Sequence, residues 1–503
     1  MQLPRELIGL IANSLSTTDA AALGKSNWQT LLDLSQPDFG FLVNEPVASS
    51  KIYDSNNKYT RRGYVLGHFI SIIVKNLDDL NNLPSDTKHI YFHDQFNQRI
   101  TNSFFPPHVT HLTFGKNFNF IMYASTGVDF PKSLTHLTLV SEYILSYQNL
   151  KFPKLLTHLT LPDSFNEPIE NLNLPTSLTH LTFGRSFNRR LPNLTHLISL
   201  THIIFGEYFD QDLDCTNFPS SVTHLILGAS FHKLFTGLNG MKSLTHLVLG
   251  KLNHSIHLPH SLTHLTFGNK FNKTIKGLYL PNTLTHLTMG DKFNQSVYKV
   301  RLPPSLTHLK FGKSFRKCID NLWLPPTLTH LELGHSYNWT VNNLSLPSSL
   351  THLTFGHGFN NSVSLLNLPV SLTHLTFGHN FNQRVDHLNL PSSLIHLKFG
   401  HNFNWPVNNL VLPNSLTHLT FGDMFNQPVD ELILPQNLLH LSFGMLFNQP
   451  LTHLQAPPLL KFIHVDPRFN SPMSDNIESL CCVCNQRKLA IHCRRNLRIP
   501  LYC

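Results

Sequence analysis

The chain has 503 residues and is 41% hydrophobic, with 37 Phe, 33 His and 32 Pro, yet only 13% of it is charged. That is about half the ~25% usual for a soluble globular protein. So much apolar residue excludes disorder for most of the chain, and no apolar run approaches the ~18 residues of a membrane-crossing helix. The net charge of +9 includes +3 from residues 475–503 (five Arg and Lys against Asp475 and Glu478), so the body is only mildly basic. It lacks the dense basic stripe of a nucleic-acid-binding surface. Seven Cys are too few and too unevenly spread for a disulfide scaffold, and the start shows no basic segment followed by an apolar core of a secretory signal. These features predict an intracellular, cytoplasmic protein whose partner is neither a membrane nor a nucleic acid.

Residues 1–35 read as a small helical module. Leu7, Ile8, Ile11 and Leu15 fall on one face of a helix. Ser16, Thr17, Thr18 and Asp19 then cap a second helix, Ala20 to Leu23, and Trp28 comes next. The opening Leu3-Pro4-x-Glu6-Leu7-Ile8 resembles an F-box. The likeness covers roughly 30 residues, departs by about two missing residues between Asp19 and Trp28, and keeps only Lys25 of the basic residues before the Trp. The resemblance implies docking on a Skp-type linker protein of a cullin–RING ubiquitin ligase, through Leu3, Pro4, Leu7, Ile8, Ile11, Leu15 and Trp28. An amphipathic helical cap on the remainder of the chain is the other reading. Residues 36–82 carry no clear pattern apart from a strand at Phe69–Val74, and serve as linker and N-terminal cap.

From 83 to 472 the chain repeats. Thr-His-Leu recurs with its His at 136, 158, 180, 202, 224 and 246, then at 264, 286, 308, 330, 352, 374, 396, 418 and 440, every 22 residues but for one step of 18. Degenerate members at His89, His111 and His464 bring the array to 18 units. One unit reads Leu372-Thr-His-Leu-Thr-Phe377-Gly378-x-x-Phe381-Asn382-x-x-Val385-x-x-Leu388-x-Leu390-Pro391. A Gly and a Pro in nearly every unit forbid a long helix. A short strand from Leu372 to Phe377 fits, with Leu375 and Phe377 on the inner face and His374 and Thr376 on the outer. Such a unit cannot bury its own core, so units must stack, strand on strand at ~4.8 Å, as a parallel solenoid. Phe381 and its equivalents then form an interior spine, and Asn382 and its equivalents satisfy turn backbone and link successive units.

The signature Phe425-Asn426-Gln427-Pro428-Val429, and likewise Phe165-Asn166-Glu167-Pro168-Ile169, resembles the FNIP repeat family over about three-quarters of the chain. Many units lack the Pro, and Phe104 to Leu150 is irregular. That family, known from amoebae and their giant viruses, is grouped with leucine-rich repeats. The resemblance implies a mainly β, leucine-rich-repeat-like parallel solenoid with a strand-lined binding face, in the host cytoplasm if the chain is viral.

The array offers two candidate surfaces. The His column could bind metal, bind anions or sense pH. It lacks ligands converging from different directions, however, and stacked imidazoles disfavour one another's protonation, so a repeat-defining role competes with these. The variable outward positions predict a target-binding face: His308, Lys310, His330, Glu332, His352, Thr354, His374, Thr376, His396, Lys398, His418 and Thr420, with neutral drift on a solvated face as the alternative. Thr373 is replaced only by Ile395 and Leu439 in the regular units and reads as half-buried. In the Cys- and Arg-rich tail, 473–503, Cys481, Cys484, His492 and Cys493 could make a Cys3His zinc site. A solvated tail or a C-terminal cap is the alternative, and no other cofactor is expected. No Walker loop, dinucleotide fingerprint or Gly-x-Ser-x-Gly motif occurs, so an enzyme is not expected. The expected function is an F-box-type substrate-recognition adaptor for a cullin–RING ligase with an unknown protein target. A repeat scaffold unrelated to ubiquitin is the second reading, and a metal- or nucleic-acid-binding protein the third.

Overall fold

The computed structural model describes residues 63–66, 69–98, 100, 105–118, 130–140, 150–251 and 256–483. The chain divides into two compact units, 1–261 and 262–503. Each is a parallel β solenoid.

In the first unit, strand Gly63–Leu66 pairs antiparallel with Phe69–Val74. From there every pairing in the main sheet is parallel: Phe69–Val74 with Thr87–Phe92, then His111–Phe114, His136–Leu139, His158–Thr160, His180–Thr182, His202–Ile204, His224–Ile226 and His246–Leu249. The Phe69–Val74 strand expected from sequence is therefore the parallel partner of the first repeat strand. A second small pairing, Leu213–Asp214 with Phe235–Thr236, lies outside this ladder.

The second unit carries strands of three or four residues at His264, His286, His308, His330, His352, His374, His396, His418 and His440, then Phe462–Val465 and Cys481–Val483, each parallel to the one before. Register is His on His until the penultimate step, where Phe462 lies opposite His440 and His464 opposite Ser442. His464 is thus not a member of the His column. Phe462, 22 residues after His440, keeps the period and takes the His position, and His464 falls two residues later. The ladder also runs beyond 472: helix Asp475–Glu478 leads into Cys481–Val483, which adds a final rung. No helix among the described residues is long and apolar enough to cross a membrane.

The core explains the period. In one turn Leu372, Leu375, Phe377, Phe381, Val385 and Leu388 are all 4% exposed or less. Phe381 stacks on Phe359 and Phe403 at 5.9 and 6.0 Å, within 7° of parallel. A second aromatic column, Phe355–Phe377–Phe399, runs beside it at 5.4 and 5.7 Å and meets it at 4.1 Å within the turn. A single turn would leave both flat sides of these rings wet, so the apolar stabilisation, about 1.5–3 kcal/mol per buried side chain, arises between turns.

Polar groups are matched between turns in the same way. Asn382 Oδ1 accepts the backbone N–H of Asn404 at 3.0 Å, and Asn360 Oδ1 that of Asn382 at 2.8 Å. The Ser371 hydroxyl donates to the Leu350 carbonyl at 2.7 Å, as Ser393 does to Leu372 and Ser415 to Leu394.

Candidate functional site

The strand face is set by the Thr-His pair. The Thr351 carbonyl accepts the N–H groups of both Thr373 and His374 at 2.9 Å. The Thr373 hydroxyl lies 3.0 Å from that carbonyl and 2.9 Å from His374 Nδ1. The hydroxyl donates its one proton to that carbonyl, so its oxygen accepts from His374 Nδ1–H. Thr373 is half-buried as expected, but it is there for this hydrogen bond. Where Leu439 replaces it, His440 Nδ1 is buried with no partner. Thr373→Val, which keeps the shape and removes the hydroxyl, is expected to cost about 1–2 kcal/mol. Urea unfolding measures it, and an unchanged midpoint would mean the hydroxyl is dispensable.

The sequence placed this His column on an exposed face at strand spacing. The rings are instead half-buried and lie closer, 4.1 Å apart from His308 to His374 and 4.4 Å from His374 to His396, nearly parallel. Hydrogen bonding to Thr fixes each ring against the sheet and lets its neighbours cover both faces. Burial, then the positive charge neighbouring rings would carry, lowers His330, His352, His374 and His418 to about 4. In the first unit, burial and neighbouring His lower His111 and His180 to about 2 and His136 to about 3. The column is therefore neutral at physiological pH.

The face residues expected from sequence all lie on these strands of the second unit. Lys310 pairs with Glu332 across adjacent strands at 2.8 Å. Thr354, Thr376 and Thr420 are half-buried, and Lys398 is exposed between the last two. In the first unit the same outward position carries Ile204, Ile226 and Val248, an apolar stretch in which Ile204 is buried. Exposed side chains on the far turns were missed, among them Val411, 81% exposed, and Ile433, 83%. Their signal was an apolar residue in two successive units at a position that is Asn367 and Asn389 in the units before.

Cys481 sits in the final strand as a free, half-buried thiol, which burial pushes up to about 11. Its expected zinc partners Cys484, His492 and Cys493 lie outside the described residues, as do Leu3, Pro4, Leu7, Ile8, Ile11, Leu15 and Trp28 of the F-box-like module. Among the described residues no three His, Cys, Asp or Glu side chains are grouped to hold a metal ion.

Comparison with solved structures finds CroV588, a novel circular leucine-rich-repeat protein from a giant virus. It is 39% identical with a TM-score of 0.60, and the match covers 78% of this chain and 65% of that one, just under two thirds of its length. A leucine-rich-repeat protein of Leptospira interrogans is 16% identical over 82% of this chain and 100% of that one, with a TM-score of 0.41. An internalin of Listeria monocytogenes is 16% identical over 66% and 89%, with a TM-score of 0.37. No curated protein matches the chain. The FNIP Repeat pattern matches residues 79–117, 148–186, 187–230, 252–292, 293–336, 319–358, 337–379, 359–402 and 403–445. With more than half of its length matched in this way, the chain belongs to the FNIP repeat family.

Proposed function

We propose that the protein is a non-catalytic adaptor: the strand face of the array holds a protein target, and the N-terminal module hands that target to a cullin–RING ubiquitin ligase through a Skp-type linker. The observation that carries the binding half is a uniform backbone bearing dissimilar outward side chains. Lys310, Glu332, Thr354, Thr376, Lys398 and Thr420 succeed one another at one structural position while the residues behind them barely change. A fixed scaffold with a variable surface suits recognition. The ligase half is supported by the F-box-like spacing of Leu3, Pro4, Leu7, Ile8, Ile11 and Leu15 alone. An adaptor of this kind needs no cofactor, because it acts by raising the effective concentration of target near ligase. It would do so in the cytoplasm.

Pull-down with the linker protein tests the ligase half. Wild type is expected to retain the linker and Leu7→Asp to lose it, at least tenfold, because a charge would enter an apolar contact. Failure of wild type to bind would sink the adaptor reading and leave a scaffold unconnected with ubiquitin.

A further inference from the structure

The second unit contains another imidazole column, at the residue after the turn glycine. Turn by turn it reads Asn269, Asp291, Lys313, His335, His357, His379, His401, Asp423 and Met445. The four His stack at 4.3, 4.2 and 4.2 Å, within 13° of parallel. His335, His357 and His379 are exposed and His401 is half-buried. None is tied to a Thr hydroxyl. His379 Nδ1 meets Asn380 Oδ1 at 3.1 Å, and His401 Nδ1 meets Asp423 Oδ2 at 2.7 Å. Parallel rings do not aim their lone pairs at one point, so the row is not shaped to enclose a metal ion.

Its charged surroundings are three carboxylates and five basic groups. Asp291 pairs with Lys313 at 2.9 Å, Glu332 with Lys310 at 2.8 Å, and Asp423 caps the row at His401. Lys398 is exposed on the strand three residues before His401, while Lys292 and Arg316 lie at the Asp291 end. With the rings neutral the region around them carries a net charge of +2, five basic groups less three carboxylates. Protonation would add up to four positive charges along about 13 Å, the length of four residues of extended chain at ~3.3 Å each. Imidazole is the side chain that changes charge near neutrality. Burial, followed by the neighbouring His335, His379 and His401, lowers His357, which makes it slow to charge within the row.

The contrast between the two columns carries the inference. The Thr-anchored rings are half-buried against the sheet and resist protonation. The rings of the second column can take protons without disturbing the sheet. We propose that His335, His357, His379 and His401 form a proton-gated docking row for an extended acidic segment of a protein partner. The row holds such a segment weakly at alkaline pH and more tightly in mild acid. This rests on the reading of the array as a protein-binding scaffold and names the chemistry of one partner contact.

The test is a titration of a fluorescent hexa-aspartate peptide with full-length protein at pH 8.0 and 6.0 in low salt, with circular dichroism at both pH values to confirm the fold. Wild type is expected to bind at least about tenfold more tightly at pH 6.0. Replacing all four His by Asn, the residue already present at position 269 of this column, is expected to abolish the gain. Asp423→Asn, which removes a competing carboxylate, is expected to tighten binding a few-fold. Binding that ignores pH, or a quadruple variant that binds like wild type, would overturn the proposal, as would tighter binding of a single-stranded oligonucleotide than of the peptide. Loss of protein capture with the peptide response intact would instead defeat the scaffold reading alone.

Discussion

Lowering the pH from 7.5 to 5.5 is expected to remove a substantial part of the protein's resistance to urea, roughly a fifth to three fifths of its stability. The cause is the Thr-anchored His column. In the folded chain ten of its rings are held at about 2 to about 4: His111, His136, His158, His180 and His202 in the first unit, and His308, His330, His352, His374 and His418 in the second. In the unfolded chain the same rings titrate near 6.5. Between those values the unfolded chain binds protons that the folded chain refuses, so stability falls as pH drops from about 6.5 towards about 4, and is steady above 7. A ring kept neutral withdraws at most about 1.4 kcal/mol per pH unit. Many of these rings are about half exposed, and screening reduces that several-fold, to ~0.3 kcal/mol each. Ten rings still remove ~3 kcal/mol per pH unit from a total that is usually 5–15 kcal/mol.

Two controls separate this from general acid effects. Asp214, Asp386 and Asp466 are lowered by hydrogen bonds, from Thr216, Arg384 and Arg468 respectively, so their contributions are lost only below the ordinary carboxylate range, a separate window. Phe462 already occupies the His position and stacks on His440 at 5.5 Å within 10° of parallel, which shows that an uncharged ring fits the column. Replacing His352, His374 and His396 by Phe is therefore expected to flatten the decline between pH 7.5 and 5.5. Equal urea midpoints for wild type at those two pH values would refute the account.

This behaviour marks where the sequence was readable and where it was not. Periodicity places Leu375 inward and His374 outward, and the structure agrees, because side-chain alternation along a strand is a matter of parity. Depth is a different quantity. His374 points away from the core and is still half-buried, because rings about 4 Å above and below cover its faces and Thr373 holds it down. None of the covering rings is adjacent in sequence. The Ser371 hydroxyl column was hidden for a similar reason: a Ser between Pro and Leu reads as turn filler until its acceptor, the Leu350 carbonyl 21 residues earlier, is in place. His464 was misassigned because a His beside apolar residues satisfies the pattern, although the 22-residue period puts Phe462 at the column position. The second His row was invisible to a search for the Thr-His motif, since its members come after Gly and differ from unit to unit.

The largest single-residue effect is expected at the turn glycines. A Cβ on Gly400 would lie 1.7 Å from the carbonyl oxygen of Gly378, and one on Gly378 equally close to that of Gly356. The obstruction is backbone of the preceding turn, which cannot rotate away as a side chain could. Relief requires separating the two turns just where Phe377 N–H bonds to the Lys398 carbonyl and Phe377 stacks on Phe399. Gly400→Ala is accordingly expected to cost about 3–5 kcal/mol, at or above the usual range for overpacking. Gly277 supplies the contrast. Its φ of +86° calls for glycine, yet nothing lies within 4 Å of a Cβ placed there. Gly277→Ala should carry only the conformational penalty, about 1–2 kcal/mol. Both lie in the second unit, so their urea midpoints at pH 7.5 are directly comparable. Because each turn is stabilised through its neighbours, the Gly400 variant should also expose amides in the adjacent turns to hydrogen exchange, while the Gly277 variant should not. Equal costs for the two would mean that the turn glycine is selected for its backbone freedom, and that the spacing between turns can yield.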